Sequence, residues 1–214
     1  MLRSRHLLRR IVSRAARDTV FRRMDDQAAR DLLGRTLDVL DSLGIRAWLT
    51  DGTLLGCIRE GGFIGHDLDI DLGILASDLS PALVPALQRA GLEIYERYGT
   101  PRDGYELTLR SRYLYLPGTS LDLFFFYEQG DTVWHAAYWR GHQLRYRYPR
   151  FSLERRRFMG RDVWVPSPPE DFLAAKYGPG WRTPDPRWHG MLAPHSLDLD
   201  TASEAVRKAA APWH

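Results

Sequence analysis

The 214-residue sequence contains a single cysteine, Cys57, and no apolar run that approaches the length of a membrane span. One cysteine excludes an internal disulfide framework and is compatible with a reducing compartment. The amino terminus also lacks the continuous apolar core of a secretory signal. We therefore expect a cytoplasmic location.

The sequence also has little net charge. Lysine and arginine total 30 and aspartate and glutamate total 27, so the formal charge is only +3. Nucleic-acid binding usually needs a more pronounced basic excess, so we do not expect a nucleic-acid partner. Hydrophobic residues make up 44% and aromatic residues 12% of the chain, which is enough to build one sizeable core.

Arginines are concentrated between residues 3 and 23, with apolar residues at helical spacing among them. This pattern predicts a basic amphipathic helix over residues 1–25. Such a helix can lie on an anionic membrane through residues 1–24, which would make the protein peripheral at a membrane surface. It can equally pack its apolar side on the domain and leave its arginines in solvent.

An acidic alternation, Asp67-Leu-Asp69-Ile-Asp71, carries the first chemical signal. In a strand these carboxylates share one face, about 7 Å apart, while the leucine and isoleucine face the core. Carboxylates in a partly desolvated cleft repel one another, and a divalent cation removes that conflict. Because the ligands are hard oxygens, we expect Mg²⁺ or Mn²⁺. The alternative is a solvated edge strand that uses charge to block pairing.

A lone carboxylate, Asp122, stands at the start of the apolar run 123–127. Such a run is typical of a central strand, where a carboxylate needs a partner. If this strand lies beside the acidic one, Asp69, Asp71 and Asp122 form a cradle that can hold two cations about 4 Å apart for displacement at phosphorus. The alternative is an aspartate that caps a turn.

A third signal is the glycine-containing turn after the apolar segment 45–50. Gly52 and Thr53 precede a predicted helix from Leu54 to Arg59. Free backbone N–H groups at a helix start can bind an anion, and a glycine permits close approach of phosphate. Arg59 could then grip phosphate oxygens. An ordinary turn with a surface arginine is the alternative.

These pieces resemble a nucleotidyltransferase-type fold and, more narrowly, the LicD and fukutin family of phosphotransferases, nearest to its fukutin-like members. The resemblance extends, with gaps, over residues 44–188. Four ordered segments carry it: DGTLLGCIREGGFIGHDLDID (51–71), LDLFFFYE (121–128), VPSP (165–168) and YGPGWRTP (177–184).

The resemblance implies transfer of a phospho-substituent, such as an alditol phosphate or phosphocholine, from a CDP-linked donor to a hydroxyl of a glycan or lipid-linked glycan, as in cell-envelope polysaccharides. It implies that Asp69 and Asp71 are the metal ligands of the family's DxD motif and that Asp122 is the third carboxylate, as ligand or as base. Asp67 matches an aspartate of LicD-type members that fukutin itself lacks.

The resemblance further implies that a short helix beginning at Pro169 and the loop after it close over the donor. Lys176 could then neutralise phosphate, and Tyr177 and Gly178 could contact the nucleotide. A surface or packing role is equally compatible with Lys176 and Tyr177.

The fold class we expect is α+β, a mixed sheet packed by helices with a carboxy-terminal strand and helix extension. We divide the chain into the amino-terminal helix (1–25), a catalytic domain (26–188) and an irregular tail (189–214). Other elements follow from periodicity and turn residues. They are helices 26–43 and 80–90, strands 105–109, 113–116 and 121–127, and a hairpin of 133–139 with 143–148.

Two other functions remain compatible with the sequence. A nucleotidyltransferase acting from ATP or CTP on a small molecule or protein would use the same carboxylates. A non-catalytic module that binds a membrane or RNA would instead use the amino-terminal arginines, and a pI near 9.1 favours it weakly.

Overall fold

The structure is a computed structural model that describes residues 24–112 and 119–214. Only Met24 and Asp25 of the predicted amino-terminal helix belong to the described residues, and the predicted strand 113–116 lies outside them. A nine-stranded mixed sheet forms the centre of the fold. Its strands are β1 (Trp48–Leu49), β2 (Asp69–Leu75), β3 (Leu92–Thr100), β4 (Asp103–Ser111), β5 (Ser120–Gln129), β6 (Thr132–Trp139), β7 (His142–Pro149), β8 (Ser152–Phe158) and β9 (Arg161–Ser167).

The main path of the sheet follows the order β3-β4-β5-β2-β1-β9-β8, while β6 pairs with the end of β5 and with β7. Strands β2 and β5 run parallel, as do β1 and β9, whereas the other pairs are antiparallel. The predicted mixed sheet packed by helices is confirmed. The hairpin of β6 and β7 is confirmed as well.

Five α-helices and one 3-10 turn surround the sheet within the described residues. The helices are α1 (Asp26–Ser42), α2 (Asp51–Arg59), α3 (Leu83–Arg89), α4 (Pro169–Tyr177) and α5 (Glu204–Ala210), and the 3-10 turn is Ala76–Asp78. In the same described ranges, no helix combines the length and the apolar character needed to cross a bilayer.

The core lies where the central strands meet α1. The apolar residues of β2 and β5 are buried on both sheet faces, as expected for strands covered on both sides. Helix α1 buries Leu32, Leu33 and Leu40, and the Asp25 carboxylate accepts a hydrogen bond of 2.7 Å from the Ala28 N–H at its start. Predicted helix 26–43 is therefore confirmed within one residue.

Two boundaries near the acidic segment differ from the prediction. Helix α2 begins at Asp51, so Gly52 and Thr53 lie inside its first turn rather than ahead of it. Strand β2 begins at Asp69, and Asp67 lies in the preceding turn, where its N–H donates to the carbonyl of Ile64. The prediction that Asp67 shares one strand face with Asp69 and Asp71 is therefore wrong. The strand begins only at Asp69, where it pairs with the first residue of β5, although the acidic alternation in the sequence begins at Asp67.

Other elements were missed or shifted. Strands β3 and β8 are not predicted because charged residues interrupt their apolar pattern, and β9 is not predicted because its apolar run covers only residues 163–165 before Pro166. Helix α3 begins at Leu83 rather than Ser80, after a turn closed by the Leu83 N–H on the Ser80 carbonyl. The tail predicted to be irregular contains α5, whose first turn is capped by the Ser203 hydroxyl.

Candidate active site

The pairing of β2 with β5 sets the geometry of the acidic residues. In this parallel register Asp71 stands directly opposite Asp122, and Asp69 stands opposite Ser120. The predicted adjacency of the acidic strand and the Asp122 strand is therefore confirmed. Because Asp69 and Asp71 are two residues apart, both project to the face on which Asp122 also lies.

Asp71 is the most deeply buried carboxylate of this group, with 8% of its surface exposed. One of its oxygens, Oδ2, accepts a hydrogen bond of 3.1 Å from the Thr53 N–H, and the Asp71 N–H donates to Thr53 Oγ1 at 2.8 Å. Burial raises the pKa of Asp71 well above its ordinary value, and repulsion from Asp69 and Asp122 raises it further. The protein thus holds this carboxylate at an electrostatic cost that a cation would reduce.

Asp122 carries the second perturbed carboxylate. Burial, followed by repulsion from Asp69, raises its pKa to about 7, while a hydrogen bond from Thr108 acts in the opposite direction. The Oδ1 atom is buried and has no hydrogen-bond partner among the described residues. A buried carboxylate oxygen without a donor is unfavourable by itself, so a ligand that contacts this atom would reduce that cost.

Asp67 reaches the same place from the turn before β2. A Cβ atom added to Gly52 would lie 2.8 Å from Asp67 Oδ2 and 3.2 Å from Asp71 Oδ2. Both carboxylates therefore lie against the glycine in the first turn of α2. Burial and the charge of Asp69 raise the pKa of Asp67 to about 6. We call Asp67, Asp69, Asp71 and Asp122 the acidic cluster.

A cavity of about 1460 Å³ opens over the acidic cluster. The structure brings most predicted site residues to its wall: Gly52, Arg59, Asp67, Asp69, Asp71, Asp122, Lys176 and Tyr177. Thr53 and Gly178 are not on that wall. Thr53 is buried behind Asp71, and Gly178 ends α4 with a φ of 78°, where a Cβ would meet the His195 ring at 2.8 Å.

Arg59 lies on the cavity wall at the last residue of α2. Its guanidinium donates to Glu60 at 2.7 Å and to the Trp181 carbonyl at 3.5 Å. These contacts hold the side chain toward the loop after α4. The Thr53 N–H, in contrast, is used by Asp71, so this donor of the helix start binds a carboxylate within the protein rather than an external anion.

A buried polar network that was not predicted joins α2 to α4 at the cavity. Lys176 forms an ion pair with Asp51, and the other Asp51 oxygen lies 3.8 Å from His135 Nε2. Burial lowers the pKa of Lys176 to about 7 and that of His135 to about 3, while the Asp51 carboxylate favours the charged form of Lys176. The charge of Lys176 is thus compensated within the protein. The signal in the sequence was Asp51 itself, the first residue of the turn motif.

Glu106 is a further carboxylate on the cavity wall that the sequence interpretation missed. It is 6% exposed, and its Oε2 atom has no hydrogen-bond partner among the described residues. Burial, followed by repulsion from Asp122 and Glu96, raises its pKa to about 9. A glutamate between Tyr105 and Leu107 in an apolar strand was the available signal.

Carboxylates on two adjoining strands of a mixed sheet, beside a glycine at a helix start, define a nucleotidyltransferase-type domain. A family model described as "LicD/FKTN/FKRP, nucleotidyltransferase domain" matches residues 44–168. The chain therefore belongs to this family, and the family prediction is confirmed.

Two curated relatives indicate how far the similarity extends. The chain is 34% identical to the mouse "Ribitol-5-phosphate transferase FKTN" over 79% of its own length and 36% of that protein. It is 29% identical to the human "Ribitol 5-phosphate transferase FKRP" over 72% of its own length and 32% of that protein. The chain thus spans about a third of the length of these relatives.

Among solved structures, the antibiotic-resistance factor ANT(2'')-Ia is similar with a TM-score of 0.48 and 16% sequence identity. The similarity covers 77% of this chain and 78% of that one.

Proposed function

We propose that this domain transfers an alditol phosphate or phosphocholine from a CDP-linked donor to a hydroxyl group of a glycan or lipid-linked glycan, with Mg²⁺ or Mn²⁺ as cofactor. The observation that carries the proposal is the pairing of Asp71 with Asp122 across two parallel strands beneath a cavity. Family membership and the names of the ribitol-phosphate transferases support the phosphotransferase class.

The chemistry of the acidic cluster fits a hard divalent cation. Its donors are oxygens, burial and mutual repulsion raise the pKa values of these carboxylates, and Asp122 Oδ1 receives no hydrogen bond from the described residues. In residues 24–112 and 119–214, no group of three or more His, Cys, Asp or Glu side chains is arranged to hold a metal by itself. Mg²⁺ is usually held by one or two carboxylates together with water and substrate phosphates, so such a preformed cage is not required.

In this proposal Asp69, Asp71 and Asp122 would hold the cation. When bound, the cation would offset the negative charge of the donor phosphates. Gly52 leaves the space beside Asp67 and Asp71 open.

The proposed reaction is a substitution at phosphorus. The acceptor oxygen forms a bond to the phosphorus of the transferred group, the bond from that phosphorus to the CMP oxygen breaks, and the hydroxyl proton leaves to a base. Asp122 is the candidate base if it does not act as a ligand. Arg59 lines the cavity at the end of α2 and would contact the donor phosphates in this proposal.

Isothermal titration tests the proposal. CDP-ribitol, CDP-glycerol, CDP-choline, CTP and ATP are each titrated with and without Mg²⁺ into the wild type, Asp69→Asn and the surface control Asp41→Asn. We expect Mg²⁺-dependent binding of one CDP-linked donor that Asp69→Asn loses and Asp41→Asn keeps. Binding confined to a triphosphate would instead indicate nucleotidyl transfer, and absence of all binding would favour a non-catalytic module.

Location belongs to the same proposal. We propose a cytoplasmic enzyme that meets a lipid-linked acceptor at the membrane surface through residues 1–24. These residues lie almost entirely outside the described part of the chain, so sedimentation of the full chain with anionic vesicles is the appropriate test. Vesicle binding that is lost when the arginines between residues 3 and 23 are replaced by glutamine would support it, and equal sedimentation of both proteins would contradict it.

A further inference from the structure

Glu106 lies next to the acidic cluster but is not part of it. Thr108 pairs with Asp122 across β4 and β5, and Glu106 pairs with Phe124, two residues further along. Glu106 is thus the diagonal neighbour of Asp122 on the same face, a relation that places residues about 7–8 Å apart, with the Cβ atoms somewhat closer. A group bound at Glu106 would therefore lie beside a phosphoryl group that is held over Asp122.

The surroundings of Glu106 are acidic and aromatic. Across β3 and β4, Glu106 pairs with Tyr98, whose hydroxyl donates to the Glu96 carboxylate. The Tyr98 ring stacks on Tyr138 with centroids 5.3 Å apart and an interplanar angle of 17°. Both rings line the cavity, and we call them the tyrosine wall.

Glu106 has a buried carboxyl oxygen without a hydrogen-bond partner in the described part of the chain. Its side chain is more than nine-tenths buried, it forms no ion pair there, and its Oε2 atom receives no hydrogen bond. A buried polar group is rarely left in this state unless a ligand or water satisfies it. The residue lines the cavity, so a ligand in the cavity can contact its side chain.

The chemistry of this region selects the ligand. Glu96 and Asp122 disfavour a phosphate here by repulsion, and Glu106 forms no ion pair with another described residue. Burial raises the pKa of Glu106, and a protonated carboxyl group can donate one hydrogen bond and accept others, whereas an ionised one accepts from hydroxyl groups. A neutral group that carries hydroxyls can donate hydrogen bonds to this carboxyl group and accept them from it. The carbon chain of such a group can pack against aromatic rings.

We propose that Glu106 and the tyrosine wall form a subsite for a neutral polyhydroxyl group beside the acidic cluster. The inference rests on the proposed function, because it places this group next to the transferred phosphorus. Two sources have the required chemistry: the alditol of the donor and the sugar of the acceptor.

Binding measurements on three variants test the subsite. Glu106→Leu removes the hydrogen bonds, Glu106→Gln keeps a donor and an acceptor, and Glu93→Gln is a control at an exposed glutamate of β3. CDP, CDP-ribitol and free ribitol are titrated in the presence of Mg²⁺, the last of these into the CDP complex. We expect Glu106→Leu to weaken one ribitol-bearing probe about tenfold and to leave CDP unchanged, with a smaller loss in Glu106→Gln.

The pattern of losses identifies the source. A weaker CDP-ribitol complex assigns the subsite to the donor alditol, and weaker binding of free ribitol alone assigns it to the acceptor. If wild type and Glu106→Leu bind both ribitol probes with equal affinity, the subsite is overturned. The proposed function still stands in that case, provided that both proteins bind CDP. Absence of CDP binding to the wild type would overturn both.

Thermal unfolding separates a ligand role from a packing role. If Glu106 serves a ligand, replacing an unpartnered buried acid with leucine leaves the melting temperature equal or higher. A clearly lower melting temperature together with weaker CDP binding would show that Glu106 supports the fold instead, and would contradict the subsite.

Discussion

Lys176 and Asp51 form an ion pair that is buried between α4 and α2, with side-chain exposures of 7% and 9%. The pair joins α4, which precedes the loop at residues 178–181, to Asp51, the first residue of α2. Gly52 is the next residue of α2. It therefore fixes two walls of the cavity relative to each other.

Loss of this lysine should strongly destabilise the fold. Lys176→Met leaves the buried Asp51 carboxylate without its cation, which typically costs about 3–5 kcal/mol. Asp51→Asn added to this variant should restore part of the loss, because the buried charge is gone and asparagine tolerates the positive φ of 46°. Urea denaturation of the two single variants and the double variant measures the coupling.

The exposed lysine of α5 provides the control for this cycle. Lys208 pairs with Glu204 at 2.7 Å on the surface, so Lys208→Met should change the free energy of unfolding little. Strictly additive losses in the Lys176 and Asp51 double variant would show that the two side chains do not interact energetically.

Asp71→Asn should separate stability from function. The amide is neutral, so repulsion from Asp69 and Asp122 disappears, and its oxygen can still accept the Thr53 N–H. We expect a free energy of unfolding equal to or above that of the wild type, together with loss of turnover. Denaturation and a CMP-release assay on the same preparation provide the check, and retained turnover would remove Asp71 from the proposed mechanism.

Gly52→Ala tests the space beside the carboxylates. In a helix alanine is normally preferred over glycine by about 1 kcal/mol, yet here the added Cβ would meet Asp67 Oδ2 at 2.8 Å. We expect Mg²⁺ and donor affinity to fall at least tenfold, as measured by titration calorimetry. Gly65→Ala is the matched control, because its added Cβ has no atom within 4 Å and it should bind as the wild type does. If Gly52→Ala and Gly65→Ala bind Mg²⁺ and donor with equal affinity, the added Cβ at residue 52 does not disturb the carboxylates.

Stability without a divalent cation should decrease as the pH rises through the range set by Asp122. Its pKa is about 7 in the folded protein against an ordinary 3.8, so the folded state holds an extra proton between these values. The contribution is therefore present below about pH 4 and is lost toward pH 7, by up to ~1.4 kcal/mol per pH unit. In Asp122→Asn this loss is absent.

Urea denaturation from pH 4.5 to 7.5 measures the difference between the two proteins. Effects of His135, whose lowered pKa acts in the opposite direction, are common to both and cancel in that difference. Adding Mg²⁺ should recover stability in the wild type, increasingly toward pH 7.5. A difference that does not change with pH would show that Asp122 is ionised throughout this range.

The local pattern was sufficient to locate several elements. The apolar run after Asp122 predicted a central strand, and the spacing of Leu32, Leu33 and Leu40 predicted a helix, because burial imposes these periods directly. Alternation did not locate the start of β2, since the first paired residue depends on where β5 begins.

The sequence by itself determined the family, the central strand and the four carboxylates of the acidic cluster, because these depend on short contiguous motifs. Tertiary structure alone decided that Asp71 faces Asp122, that Asp51 pairs with Lys176 and that Glu106 reaches the same cavity. These relations join residues far apart in the chain, and strand register and helix packing determine them. A sequence pattern indicates which side chains can share one face of a strand or helix, but only the folded chain determines which faces of different elements come into contact.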